Sequence, residues 1–169
     1  MGRSIERAAL GLTYGLLMRL RGIFWRLRRP LLVGVRALIV RDGQVLLIRH
    51  RSGRDPWALP GGGAERYEQL AEAARREAAE ETGAQVRVNA LLGVYDRFSG
   101  GVTNYIAVFV CAPLGADAQP GREPRPPRSL EIAEARFFSL DALPVATDAG
   151  TRRRVVEYLA GERGVAKLW

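Results

Sequence analysis

Glu77, Glu80 and Glu81 stand at i, i+3 and i+4, a spacing that brings three carboxylates to one face of a helix. Like charges held so close weaken an isolated helix by roughly 0.2–0.5 kcal/mol per pair, so a positive partner is required. Arg75 and Arg76 lie beside them in sequence, and a divalent cation would serve better still. Mg²⁺ and Mn²⁺ take oxygen ligands, and Mg²⁺ keeps several waters, which suits a carboxylate cluster working on substrate phosphates. Just upstream, Gly61, Gly62 and Gly63 form a bend where backbone groups can approach a phosphate or a metal without side chains in the way. The rest of the inventory narrows the chemistry further. Cys111 is the only cysteine, which excludes an intrachain disulfide and a Cys-based metal site. His50 is the only histidine, and no Ser-His-Asp pattern surrounds it. Catalysis must rest on carboxylates, arginines and metal.

The spacing of this segment can be counted from Gly62. Glu68, Arg76, Glu77, Glu80, Glu81 and Gly83 follow it, with the small apolar residues Ala78 and Ala84 between and after the last of them. The pattern resembles the signature of the Nudix hydrolase family, G-x5-E-x7-R-E-U-x-E-E-x-G-U with U aliphatic, and it matches at every fixed position. The segments 57–60 and 134–144 are similar to family flanks. The resemblance implies a Nudix-like α/β/α sandwich. It implies that Glu80 and Glu81 bind Mg²⁺ or Mn²⁺, that Glu77 binds directly or through water and is a candidate base, and that the Gly61 carbonyl adds a ligand. Arg76 would orient Glu77, and Glu68 would close that network at the start of the helix, with Gly62 and Gly83 as conformational supports. The implied reaction is attack of water at phosphorus in a nucleoside diphosphate linked to another group. Some family members draw the final base from a loop, and Glu131 or Glu134 could fill that role here.

One residue departs from the family pattern. Tyr67 stands where glycine is common, and the expectation is a turn built without φ > 0 at that position. Subgroup tags are missing as well. Phe98, Ser99 and Gly100 occupy the place of the proline associated with ADP-ribose hydrolysis, and Tyr95 falls too early for the dinucleoside polyphosphate tag. The substrate within the class therefore stays open.

These residues need a scaffold, and hydrophobic patterning supplies one over residues 31–169. Strands are expected over 31–40 and 44–49, joined by the hairpin dipeptide Asp42-Gly43, and again over 86–95, 105–111 and 135–138. Helices are expected over 69–82, ended by Gly83, and over 151–160. The segment 113–128 holds five prolines and reads as a loop. Strands mixed with a central and a closing helix make an α/β domain with a mixed sheet. Trp57 is expected to be an anchor beneath the loop, His50 to be a surface residue, and Arg152, Arg153 and Arg154 to form a solvated helix face.

Residues 1–30 form a second unit in this reading, a basic amphipathic helix with the stripe Leu16, Leu20, Ile23, Phe24 and Leu27, stopped by Pro30. Its uncharged stretch 8–18 is too short to span a bilayer core, which needs about 20 residues. Residues 8–29 are expected to pack on the domain or a second copy, or to contact anionic lipid peripherally.

The net charge of +8 favours polyanionic partners. The functional expectation is a cytoplasmic pyrophosphohydrolase, with peripheral contact at the inner face of the membrane as a further expectation. It would act on a small nucleotide-like diphosphate. RNA 5′-phosphate or cap trimming and non-catalytic nucleotide sensing are the alternatives.

Overall fold

The structure, a computed structural model, describes residues 31–51, 56–99, 102–125 and 131–169. The amphipathic helix expected in residues 1–30 lies outside them. Among the described residues no helix is long and apolar enough to cross a membrane.

β1 (Leu31–Arg41) and β2 (Gln44–His50) form a hairpin. Asp42 and Gly43 both take positive φ, 49° and 72°, the geometry of a tight turn whose twist matches paired strands. Helix α1 (Leu70–Thr82) follows, then the long strands β3 (Val86–Ser99) and β4 (Val102–Pro113). The expected proline-rich loop begins with a short 3₁₀ turn, Gly115–Ala118. β5 (Ile132–Ser139), helix α2 (Ala149–Leu159) and β6 (Val165–Leu168) complete the chain. One mixed sheet results, in the order β5-β2-β1-β4-β3-β6, with β1 parallel to β4 and β3 parallel to β6.

β1 lies inside this sheet and is covered on both faces, which explains its nearly unbroken apolar run. Val35, Ala37 and Ile39 pack with Ala73, Ala74 and Ala78 of α1. Leu38 points the other way, into a core shared with Trp57, Leu92, Tyr95 and Val155 of α2. The alternation places the two helices on opposite faces of the sheet, as an α/β/α sandwich requires. Trp57 is buried and meets Phe138 edge-on at 4.7 Å, so it is the anchor expected of it.

Beyond the end of β2, the segment Pro60–Ala64 continues the sheet along β1. Val35 N–H donates to the Gly62 carbonyl at 2.9 Å, Ala37 N–H to Pro60 at 2.9 Å, and Ala64 N–H to Val33 at 3.0 Å. The glycine bend is thereby held at fixed depth against the central strand.

The arginine run on α2 corrects an expectation. Arg153 is exposed and Arg152 donates to the Pro144 carbonyl, but Arg154 is only 1% exposed. It shares the inward face with Thr151 and Val155, three residues after one and one before the other, so helix geometry turns it into the core. Its guanidinium grips Glu157 through two bonds of 2.8 Å, Nε to Oε2 and Nη2 to Oε1, and lies 3.7 Å from the centre of the Tyr95 ring. The Tyr95 hydroxyl donates to the same carboxylate at 2.8 Å. Burial works against the charged Glu157, yet the bonds from Arg154 and Tyr95 outweigh it and hold its pKa below the usual carboxylate range. Trp169 closes this cluster. Its indole lies where a Cβ on Gly150 would be, 2.3 Å from Nε1, and the Trp169 backbone N–H donates to the Asp96 carbonyl at 2.9 Å. β6 was not expected from the sequence, because four residues after a Gly-rich turn carry too little pattern.

Truncating one partner of a buried ion pair strands the other charge, at a cost of about 3–5 kcal/mol. Arg154→Ala should therefore lower the denaturant midpoint by that equivalent while leaving the m-value unchanged. An exposed arginine such as Arg153 should give less than about 0.5 kcal/mol when changed to Ala.

Candidate functional site

α1 forms because Ala and Glu dominate it and because Gly83 ends it cleanly. Gly83 takes the left-handed conformation, φ 74°, and returns its N–H to the Ala79 carbonyl at 2.9 Å. Its small residues Ala73, Ala74 and Ala78 are buried, which lets the helix lie close to β1. That approach brings the carboxylates of its third turn over the glycine bend.

Gly61 and Gly62 are required for different reasons. Gly61 has φ 142°, and a Cβ there would lie 2.2 Å from the Val35 carbonyl. At Gly62 a Cβ would lie 2.6 Å from the Glu77 Oε1. Glu77 thus rests directly on the Gly62 backbone. Glu81 is drawn to the same bend, its Oε2 accepting from Gly61 N–H at 2.6 Å.

Arg76 organises the site. It grips Glu68 with two bonds, Nε to Oε1 at 2.8 Å and Nη2 to Oε2 at 3.0 Å, and holds Glu77 Oε1 with Nη1 at 2.8 Å. It also reaches Glu80 at 3.4 Å and the Gly63 carbonyl at 3.1 Å. The guanidinium bonds hold Glu68 well below the usual range, at about 2, and Glu68 in turn raises the pKa of Arg76. Glu68 also accepts from Glu65 N–H at 2.9 Å, while its own N–H donates to the Glu65 carbonyl at 3.2 Å. The tight turn so formed places Tyr67 at φ 67° with 96% of its surface exposed. The expectation of a turn without positive φ is overturned, because the double anchoring of Glu68 fixes the backbone whatever residue stands before it.

The second cation is Arg36, which the sequence reading passed over. It is a lone charge inside the apolar strand β1, and that interruption was the available signal. Its guanidinium donates to the Gly61 carbonyl, and burial lowers its pKa although the charges of Glu81 and Glu77 oppose the shift. Burial pushes Glu81 up to about 7, against the bond from Gly61 and the attraction of Arg36, and Glu77 and Glu131 add repulsion.

These groups line one pocket of about 560 Å³, with Glu77, Glu80 and Glu81 from α1 and with His50, Glu131 and Arg36 from the sheet side. Glu131 is held there by backbone, its carbonyl accepting from Arg51 N–H at 2.7 Å. His50 Nδ1 lies 3.9 Å from Glu131 Oε1, and this histidine lines the pocket. Glu134 is directed elsewhere, paired with Arg49 across β2 and β5. Cys111 is buried in the α1-side core, with its thiol pushed up to about 12 by burial, and takes no part.

Among the described residues no group of three or more His, Cys, Asp or Glu side chains stands ready to hold a metal ion. The oxygens are instead taken by Arg76, by Gly61 N–H and, at the Gly61 carbonyl, by the Arg36 guanidinium. The donor chemistry still fits a hard divalent cation, being carboxylates plus one carbonyl. A cationic group, the Arg36 guanidinium, sits on that carbonyl beside the buried Glu81.

Comparison with known proteins agrees with this geometry. The NUDIX domain family model matches residues 30–159. An ADP-ribose pyrophosphatase of Methanocaldococcus jannaschii is 37% identical over 117 residues, covering 66% of this chain and 64% of that protein. The match thus spans less than two thirds of that relative's length. A MutT NUDIX hydrolase from Burkholderia pseudomallei superposes with a TM-score of 0.64 at 31% identity, covering 76% of this chain and 98% of that one. A UDP-X diphosphatase superposes with a TM-score of 0.64 at 30% identity, covering 82% and 67%.

Two outcomes follow from the packing and the charge. Gly62→Ala should push the Glu77 carboxylate off the bend and lower Mn²⁺ affinity by about 10–100-fold, read by calorimetric titration, with the fold retained by circular dichroism. Glu81 must lose its proton to bind a cation. Since its folded pKa is raised to about 7, Mn²⁺ affinity should fall as pH is lowered through that value, with protons released on binding above what the buffer accounts for. An affinity flat between pH 6 and 8 would remove Glu81 from the ligand set.

Proposed function

The chain belongs to the Nudix hydrolase family, and from that premise we propose that it is a divalent-metal-dependent pyrophosphohydrolase acting on a small nucleoside diphosphate derivative. The observation that carries the proposal is the convergence of Glu77, Glu80, Glu81, Glu131 and Arg36 on one pocket floored by Gly61–Gly63. Relatives named as an ADP-ribose pyrophosphatase and a UDP-X diphosphatase support the diphosphate as the bond that is cut.

Glu80, Glu81 and the Gly61 carbonyl would hold Mg²⁺ or Mn²⁺, with Glu77 joining directly or through a water. When bound, the cation polarises the phosphoryl oxygens, offsets charge on the leaving group and lowers the pKa of a water. For its own chemistry the protein supplies position and charge. Arg76 fixes the Glu77 rotamer through the 2.8 Å bond to Oε1. Arg36, turned from the Gly61 carbonyl toward an incoming ligand, meets the diphosphate with a fork matched to phosphate oxygens. Glu131 lines the pocket with the α1 glutamates and would take the proton of the attacking water, with Glu77 as the other candidate. Glu134 drops out of that role through its pairing with Arg49.

Phosphate release from a panel of nucleoside diphosphate derivatives, with and without Mg²⁺ or Mn²⁺, tests the reading. Glu80→Gln and Glu81→Gln should each lower kcat on the order of 10²-fold or more with the fold intact, and near-wild-type turnover in both would remove the metal assignment. Glu131→Gln should lower kcat while leaving Mn²⁺ affinity close to wild type. If Glu77→Gln alone abolishes turnover and Glu131→Gln does not, the base is Glu77.

A further inference from the structure

The face of the sheet that carries Arg36 continues, along the first half of β1, into a second cleft of about 680 Å³ that shares Arg36, Gly62 and Gly63 with the pocket above. One cross-strand row builds its floor. Leu32 of β1 lies opposite Asn104 of β4, and Asn104 opposite Arg97 of β3, so the three side chains emerge together on one face. In the next row Gly34 has no side chain. A Cβ there would stand 3.3 Å from the Gly62 carbonyl and 3.5 Å from Asn104 Oδ1, so the glycine leaves room between the amide and the bend.

The charges of this cleft are unbalanced. Arg36, Arg66 and Arg97 line it, facing Glu65 and Glu68, and Glu68 is already committed to Arg76. No carboxylate among the described residues lies within ion-pair distance of Arg97, and its charge instead repels that of Arg36. Arg36 feels Glu81 and Glu77 at a distance, so Arg97 is the guanidinium of this cleft left to draw an anion toward it. Asn104 adds a second signal. Its Oδ1 is buried and has no hydrogen-bond partner, and a half-turn of the amide puts N–H donors at that place instead. Ile106 and Leu32 supply apolar wall beside these groups, as a nucleoside needs.

We propose that this cleft is an oxyanion subsite, in which Arg97 with Asn104 and Arg36 binds a phosphomonoester that the substrate carries outside the diphosphate that is cut. The inference rests on the pyrophosphohydrolase reading, which places that diphosphate in the adjoining pocket. Arg36 stands between the two sites, and Arg97 lies one strand beyond Asn104, on the side away from the glycine bend. A substrate held at both sites would be a nucleoside diphosphate derivative with an additional phosphate on its nucleoside. A fork of guanidinium donors is the group best matched to that phosphate.

Equilibrium titration of the full chain with uncleavable ligands tests this without relying on turnover. The probes are adenosine 5′-monophosphate, adenosine 2′,5′-bisphosphate and adenosine 3′,5′-bisphosphate, each in the presence of Mg²⁺. At least one bisphosphate should bind about tenfold or more tightly than the monophosphate. Arg97→Gln should bring that ratio near one, and Arg97→Lys should restore part of it, with thermal midpoints confirming that both variants fold. Equal binding of all three probes, or a ratio that survives Arg97→Gln, overturns the subsite. Turnover of nucleoside diphosphate derivatives with and without an additional phosphate on the nucleoside is followed on the same preparations to separate the two readings. Turnover without a bisphosphate preference rejects the subsite and leaves the pyrophosphohydrolase intact. An Arg97-dependent preference without turnover of any diphosphate upholds the subsite and rejects the pyrophosphohydrolase.

Discussion

Negative charge packed against a backbone bend is the constraint from which the rest of this structure follows. Glu77 and Glu81 are both largely removed from solvent within reach of Gly61 and Gly62, and carboxylates so placed repel each other unless positive charge is supplied. Arg76 supplies it from the helix and Arg36 from the central strand. The two answers are unequal. Arg76 is fully engaged, with Glu68 taking two of its bonds and Glu77 a third. Arg36 rests on a neutral carbonyl and only feels the carboxylates at a distance. The first is a fixed strut, and the second is a cation held only by a neutral acceptor.

The same constraint reaches back into the fold. A helix carrying four glutamates can lie on the sheet only if its buried face is small, and alanines meet that need. A bend can receive the carboxylates only if it runs at the depth of β1, and the short β2 leaves the strand's edge open for Pro60–Ala64 to pair there. Tyr67 shows how firmly this is held. A non-glycine residue at positive φ costs roughly 1–2 kcal/mol, yet the turn keeps its shape because Glu68 is anchored on both sides. Local preference yields to the network, as it does elsewhere when tertiary bonds over-determine a backbone position.

Local rules made much of this legible in the sequence. The spacing of Glu77, Glu80 and Glu81, the Asp42-Gly43 turn, the Gly83 stop and the inward Trp57 each express a rule that acts over a few residues. What could not be read depends on residues far apart in the chain. Arg154 looked like one of three solvated arginines until Tyr95, Glu157 and Trp169 gathered around it from three elements. Glu131 and Glu134 were equivalent by composition, and only the pairing of β2 with β5 decides that Glu134 meets Arg49 while Glu131 faces the pocket. Arg36 carried a local signal, a charge inside an apolar strand, but its meaning required the bend that crosses it.

The excess positive charge can now be divided by what answers it. Arg154 is closed in by a carboxylate and two aromatic rings, and Arg49 by Glu134 and the Trp57 face. The charges of such arginines are answered within the chain, and burying or stacking them gives the fold its rigidity without adding to the pull on a ligand. Arg36 and Arg97 differ in kind. They lie on one face of the sheet, at successive stations along a continuous cleft, and of the carboxylates near them Glu68 and Glu77 are committed to Arg76 and Glu81 to the Gly61 amide. An anion arriving from solvent meets first the exposed Arg97 and then the deeper Arg36 before it reaches the glutamates. Repulsion from those glutamates would turn the same anion away if the arginines were absent. On the proposed function the cleft would resolve a conflict that any carboxylate-based phosphate chemistry faces, since groups that collect a cation also repel a phosphate. Separating the two kinds of charge along one channel, with Arg36 at the boundary, lets both be met.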